Sequence, residues 1–133
     1  MKKLIYKTLV LLSLSTMIMS CNTDDNISNV TEQNPYEKYA GNYKGTYSGG
    51  DIGEWEVSIS NEGIILGTVH STQYNLTFQL SGEIDLNGNM NATYLYNNQM
   101  AGTFDATING TSVTGTWINS ISNLSGTLEG NKQ

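Results

Sequence analysis

From Gly41 onward the chain alternates large apolar and polar residues in short runs. Each run breaks at a cluster of Asn, Asp, Gly or Ser. In a strand, residues i and i+2 share a face, so the alternation predicts eight strands. Residues 41–48 place Tyr43, Gly45 and Tyr47 on one face. Residues 53–60 place Trp55, Val57 and Ile59 inward, with Glu54, Glu56 and Ser58 outward. Residues 64–71 are apolar on both faces, which leaves the register open between Ile65/Val69 and Ile64/Leu66. Residues 74–85 carry Tyr74, Leu76, Phe78 and Leu80 in phase, and Gly82 inside this long run predicts a bend or bulge. Residues 90–97, 100–108, 112–119 and 123–130 complete the set. Their inward residues include Met90, Tyr94 and Tyr96, then Phe104 and Ile108, then Val113 and Trp117, and last Leu124 and Leu128. Ahead of them, residues 36–39 predict one helical turn or a lead-in strand.

One triplet recurs. Gly45-Thr46-Tyr47, Gly67-Thr68-Val69, Gly102-Thr103-Phe104, Gly115-Thr116-Trp117 and Gly126-Thr127-Leu128 share the order glycine, threonine, large apolar residue. Gly53-Glu54-Trp55 and Gly82-Glu83-Ile84 replace Thr by Glu. Each glycine shares a face with its large partner. That fits a curved sheet with small and large residues alternating inside.

The connections are short, which forces antiparallel neighbours. Asn109-Gly110 predicts a hairpin turn with both residues at positive φ. Eight meandering strands predict an all-β, antiparallel up-and-down barrel over residues 36–133, with a two-sheet β-sandwich as the alternative. The Gly-x-Trp and Gly-x-Tyr strands in meander order resemble lipocalin- and avidin-like barrels, and the barrel domains of some surface lipoproteins that bind host proteins. No functional residue carries over from this resemblance. The expected inner face holds Tyr43, Tyr47, Trp55, Phe78, Tyr94, Tyr96, Phe104 and Trp117. Those residues either fill the barrel or line a pocket at one mouth for a small apolar or aromatic ligand, with Tyr43, Tyr74 or Tyr96 offering a hydroxyl.

The start of the chain changes the picture. Lys2, Lys3 and Lys7 precede an apolar stretch from Leu4 to Met19, and then comes Ile18-Met19-Ser20-Cys21. The apolar stretch is short for a membrane span, and the chain's single cysteine sits at its border. This segment resembles bacterial lipoprotein precursors. The resemblance implies a signal peptide over residues 1–20, cleavage between Ser20 and Cys21, and lipidation of Cys21, palmitate included. Residues 21–35, rich in Asn, Asp, Ser and Thr, then form a flexible linker. Asp24-Asp25 resembles the acidic export signal of surface lipoproteins in the Bacteroidota. It implies an outer-membrane protein displayed at the cell surface, with a periplasm-facing orientation as the alternative. One cysteine also excludes an intramolecular disulfide.

Loss of the first twenty residues leaves Lys38, Lys44 and Lys132 against twelve acids, a net charge of minus nine. That disfavours nucleic acid and docking on anionic lipid. The remaining candidate chemistry is sparse. His70 is the sole histidine and has no second His or Cys to make a zinc site. Glu54 and Glu56 share one strand face, as do Glu83 and Asp85, and each pair reads as solvated outer face. Asp85-Leu86-Asn87-Gly88-Asn89 is far from a calcium loop. The Asn-x-Ser/Thr triplets at Asn29, Asn75, Asn91, Asn109 and Asn123 read as products of composition. No catalytic, metal or cofactor site is therefore expected. The expected function is a lipid-anchored, non-enzymatic binding or interaction module of the cell envelope. The partners are the membrane, through the lipid, and a protein or small-molecule ligand. The alternatives are a periplasm-facing inhibitor of an envelope enzyme such as lysozyme, with Asp51, Glu54 or Glu56 meeting a cationic partner, a small apolar-ligand carrier, and last a hydrolase using His70 or a carboxylate pair.

Overall fold

The computed structural model describes residues 31–133. The expected signal peptide, Cys21 and most of the expected linker lie outside the described residues. Eight strands follow one another: β1 (Gly41–Gly49), β2 (Gly53–Ile59), β3 (Ile64–Ser71), β4 (Leu76–Ile84), β5 (Asn89–Tyr96), β6 (Gln99–Asn109), β7 (Ser112–Asn119) and β8 (Leu124–Lys132). They pair in order, all antiparallel. β1 also pairs with β8, from Tyr43 opposite Lys132 to Gly49 opposite Gly126. The sheet is a closed barrel, and the sandwich alternative falls because β1–β8 pairing leaves no free edge.

The glycine-led triplets explain how so narrow a barrel closes. A Cβ on Gly126 would fall on the Ser48 carbonyl, and one on Gly45 would fall on the Glu129 carbonyl. Without it, neighbouring strands approach closely and turn sharply, which is the use of glycine at barrel corners. The glycine is thus more than a small filler between large residues. Of the bend or bulge expected at Gly82, the bulge is absent, since its pairings with Ile65 and Ala92 run in unbroken register. The register shift lies between Tyr94 and Leu95 in the β5–β6 pairing, where Tyr94 faces Gly102 and Leu95 faces Met100. Ala101 is the extra residue.

The bulky third member of each triplet points inward. Tyr47, Trp55, Phe104 and Trp117 are all buried. Edge-to-face pairs cross the interior, with centroids 5.3 Å apart for Tyr47–Trp117, 6.0 Å for Trp55–Phe104 and 5.3 Å for Phe78–Tyr94. Each such side chain contributes roughly 1.5–3 kcal/mol by burial, enough to stand in place of a disulfide. In β3, Ile65 and Val69 are the inward set, while Ile64 and Leu66 face solvent. Two residues expected to face inward do not. Tyr96 is 38% exposed at the end of β5, resting on Phe78 at 5.5 Å. Tyr74 is 52% exposed and lies in the loop before β4, because Asn75 adopts φ +53° and breaks the run. The Asn109-Gly110 hairpin also differs. Asn109 pairs with Ser112, so Gly110 and Thr111 are the central residues, and only Gly110 (φ +64°) is left-handed. That is the pattern of a type II′ turn, in which glycine takes the first central position.

A meander places alternate connections at opposite ends. At one end lie the β2–β3, β4–β5 and β6–β7 turns, together with the segment leading into β1. Residues 36–40 make a single turn, with Tyr39 N–H donating to the Tyr36 carbonyl at 2.9 Å. Tyr39 is buried beneath the barrel, its hydroxyl donating to the Leu86 carbonyl at 3.2 Å. Tyr43 donates to the Tyr39 carbonyl at 2.8 Å, and Asn34 donates to the Asn61 carbonyl. This is the closed end. The β1–β2, β3–β4, β5–β6 and β7–β8 connections form the other, the loop end.

Candidate functional site

At the loop end backbone hydrogen bonds carry the strand ladders on into the β1–β2, β3–β4 and β7–β8 connections. Thr72 N–H donates to the Ile52 carbonyl at 3.0 Å, Gly50 N–H to the Ser125 carbonyl at 3.0 Å, and Ser120 N–H to the Ala101 carbonyl at 2.8 Å. Asn119 Oδ1 accepts from the amides of Ile121 and Ser122, each at 3.0 Å. A connection held this way keeps its tip side chain in place.

Beneath the loops sits a polar plug. Asp51 is 9% exposed and Ser71 is 0% exposed. Asp51 Oδ1 accepts from Ile52 N–H at 2.7 Å and from Ser71 Oγ at 2.8 Å, and its Oδ2 accepts from Tyr47 OH at 2.9 Å. Ser71 Oγ in turn accepts from Tyr74 N–H at 3.1 Å. Nearby, Tyr94 OH donates to the Ile118 carbonyl at 3.0 Å and Trp117 Nε1 to the Ser48 carbonyl at 3.0 Å. Burial pushes the Tyr47 phenol well above its ordinary range, and the bond to Asp51 adds to it. Burial, then the charge of Asp51, push Tyr94 to about 12. Both phenols stay neutral hydrogen-bond donors. The free space under the plug, between Tyr47, Phe78, Phe104 and Trp117, is about 10 Å³. That is about one water-sized probe and far below an ordinary ligand pocket. The interior is filled.

The expected site residues scatter. Tyr43 is buried against the closed end with its hydroxyl spent on Tyr39, so it offers nothing at a mouth. Tyr74 and Tyr96 do reach the loop end, on its outside. Asp51, expected in a solvent-facing turn, is turned inward, because Tyr47 and Ser71 supply donors to it. Glu54 and Glu56 stand on the outer wall, opposite His70 and Thr68 of β3. They line a shallow groove of about 580 Å³ with Lys44 and His70. His70 Nδ1 pairs with Thr77 Oγ1 at 3.0 Å. Ser71 follows His70 in a strand, so its hydroxyl faces the interior while the imidazole faces out, and the two are not a nucleophile and its base. Asp85 does not join Glu83. Its carboxylate accepts from the Asn87 and Asn89 amides and from Asn89 Nδ2, at 2.8–2.9 Å. Those bonds, the Asn89 side chain first, hold its carboxyl below the usual range. Among the described residues no three of His, Cys, Asp and Glu are grouped to hold a metal ion.

The alternation pattern alone misses the rim. Ile52, Tyr74, Tyr96, Met100 and Ile121 are exposed by 38% to 67% and belong to all four loops or their edges. The usable signal is an apolar residue standing among turn-formers, as in Asn119-Ser120-Ile121-Ser122. The loop end is also free of exposed charge. Residues 48–53, 71–76, 95–101 and 118–125 contain Asp51 as their sole ionisable acid and no Lys or Arg, and Asp51 is buried. Amides such as Gln73, Asn97, Asn98 and Gln99 fill the spaces. Comparison of the chain with protein-family models, with curated proteins and with solved structures finds no match.

Proposed function

We propose that this chain is a lipid-anchored, non-enzymatic interaction module of the bacterial cell envelope, held at Cys21 and displayed at the outer-membrane surface, which meets its partner with the loop end. The observation that carries the reading is the pairing of a filled interior with an uncharged rim of exposed apolar tips. A carrier needs internal room, and about 10 Å³ does not supply it. A docking face needs exposed aromatic, Met and aliphatic residues with few charges, which is the composition that marks interface centres. The chain joins the barrel at the closed end, so a tether there leaves the rim free.

The test joins anchoring to display. Cells fed labelled palmitate should label the wild-type chain and not a Cys21→Ala variant, and protease added to intact cells should remove the barrel. A wild-type chain without label sinks the anchor. A labelled chain protected in intact cells sinks the surface placement. It would turn attention to the periplasm-facing reading, in which the exposed Glu54 and Glu56 of the wall groove meet a cationic envelope enzyme.

A further inference from the structure

We infer that Asn109, at the closed end, is a modification site: its side-chain amide is converted to aspartate and isoaspartate by ring closure onto the Gly110 nitrogen, with water as the co-reactant. The inference stands apart from the docking reading of the loop end. An asparagine loses its amide when the next backbone nitrogen attacks Cγ. The residue that follows therefore governs the rate, and glycine and serine shield that nitrogen least. Among the described residues three asparagines precede one or the other: Asn87-Gly88, Asn109-Gly110 and Asn119-Ser120. Sequence does not rank the two Asn-Gly pairs, and the fold does.

Gly88 is buried, its N–H donates to the Asp85 carbonyl at 3.1 Å, and its own carbonyl accepts from Ile108 N–H at 2.8 Å. Ser120 N–H donates to the Ala101 carbonyl at 2.8 Å, and Asn119 Oδ1 is engaged by the amides of Ile121 and Ser122. Both nitrogens are held away from attack. Gly110 is not. It and Asn109 are exposed, and as the first central residue of a two-residue turn Gly110 lies outside the ladder. Among the described residues its N–H has no acceptor, and even a side chain there would meet nothing within 4 Å. Asn109 ends the β6–β7 ladder opposite Ser112, so one pair has to open before the Asn109–Gly110 peptide can turn, and such ends open readily. The Thr111 carbonyl, held by Lys132 N–H at 2.8 Å, keeps the hairpin against β8 while its tip changes.

The step balances with water alone. The Gly110 nitrogen forms a bond to Asn109 Cγ, the Cγ–Nδ2 bond breaks, and the nitrogen's proton leaves with the ammonia. Water then opens the cyclic imide at either carbonyl. One opening gives aspartate. The other runs the chain through Cβ, an isoaspartate that lengthens the β6–β7 turn by one carbon. Either product adds a negative charge to the end that already carries Glu62 and Asp85.

The experiment holds the folded full chain in mildly alkaline buffer and follows each asparagine by peptide mass mapping, with an isoaspartyl methyltransferase reporting isoaspartate. The expected result is a mass gain of water less ammonia at Asn109, isoaspartate included. Asn87 and Asn119 should be slower by about tenfold or more, because their partners' amides must first be released. In strong denaturant Asn87 and Asn109, each between an aliphatic residue and glycine, should react alike. Asn109→Gln should remove the gain and keep the circular dichroism and melting of the wild type, since the side chain is exposed. A folded chain in which Asn87 keeps pace with Asn109 overturns the inference, as does a gap that persists in denaturant. So does an Asn109 that stays intact over a time in which the denatured chain reacts. An Asn109 product of aspartate alone overturns it too, because that is direct hydrolysis without a ring.

Discussion

At the closed end the turns are made by glycine: Gly63, Gly88 and Gly110 take φ angles of +81°, +89° and +64°. At the loop end Asn75, Asn97, Asn98 and Asn123 occupy the left-handed region, with φ from +50° to +61°. Glycine makes such turns without strain and without a side chain to show. Asparagine tolerates the same backbone less well and presents an amide in return. The seals differ in the same sense. Tyr39 closes one end by bulk, aided by one hydroxyl bond to Leu86, while the other is closed by a buried carboxylate that gathers three donors around Asp51. One end is finished off for stability, and the other spends residues on what it displays.

The largest expected effect comes from the shared core beneath the plug. Trp117→Ala should cost about 3–5 kcal/mol, as large aromatic truncations do, read from denaturant unfolding. An unchanged curve would mean the indole is not core. Next, the two seals can be set against each other. Asp51→Ala strands the Tyr47 and Ser71 hydroxyls and the Ile52 amide, and about 2–4 kcal/mol should be lost, given about 1–3 for each unsatisfied buried group with some relief by water. Tyr39→Phe removes one bond and keeps the bulk, so about 0.5–1.5 kcal/mol is expected. A larger loss at Tyr39→Phe than at Asp51→Ala would reverse the comparison.

The ends should also differ in their answer to pH, although burial raises the Tyr43 phenol at the closed end as well, so both ends share part of the alkaline limb. Tyr47 and Tyr94 have folded values raised above the ordinary phenol near 10. The folded state then holds their protons more tightly than the unfolded chain. Their contribution is complete below pH ~10 and drains away as pH climbs toward 12 and beyond. Asp85 at the closed end has a lowered value. Its smaller contribution is present above the ordinary carboxylate range and is lost as acid takes pH down through the folded value. Tyr47→Phe should therefore flatten the alkaline limb of a melting-temperature profile, and Asp85→Asn should alter only the acid limb. Rim changes come last: Tyr74→Ser and Ile121→Ser should move stability by no more than about 0.5 kcal/mol.

Most of the barrel was legible because alternation, turn residues and the glycine triplets agree with each other through Trp55, Phe78, Phe104 and Trp117. The errors fall where local pattern and closure compete. Tyr74 keeps the phase of Leu76 and Phe78, and alternation cannot reveal that Asn75 leaves the strand. Gly49-Gly50-Asp51 has the composition of a wet turn. What draws Asp51 inward is Ser71, twenty residues on, which becomes a neighbour only when β2 and β3 pair. The rim was invisible for the same reason: Ile52, Met100 and Ile121 are isolated apolar residues in sequence, and the meander alone assembles them at one end.

A filled barrel leaves a partner only its outside to meet. The most direct measurement is methyl and aromatic NMR of the protein equilibrated with xenon, a probe that enters dry apolar cavities. With no internal room, the Val69, Leu80 and Phe104 resonances should stay where they are. Saturable shifts of those interior signals would show an occupied cavity within the barrel and contradict it.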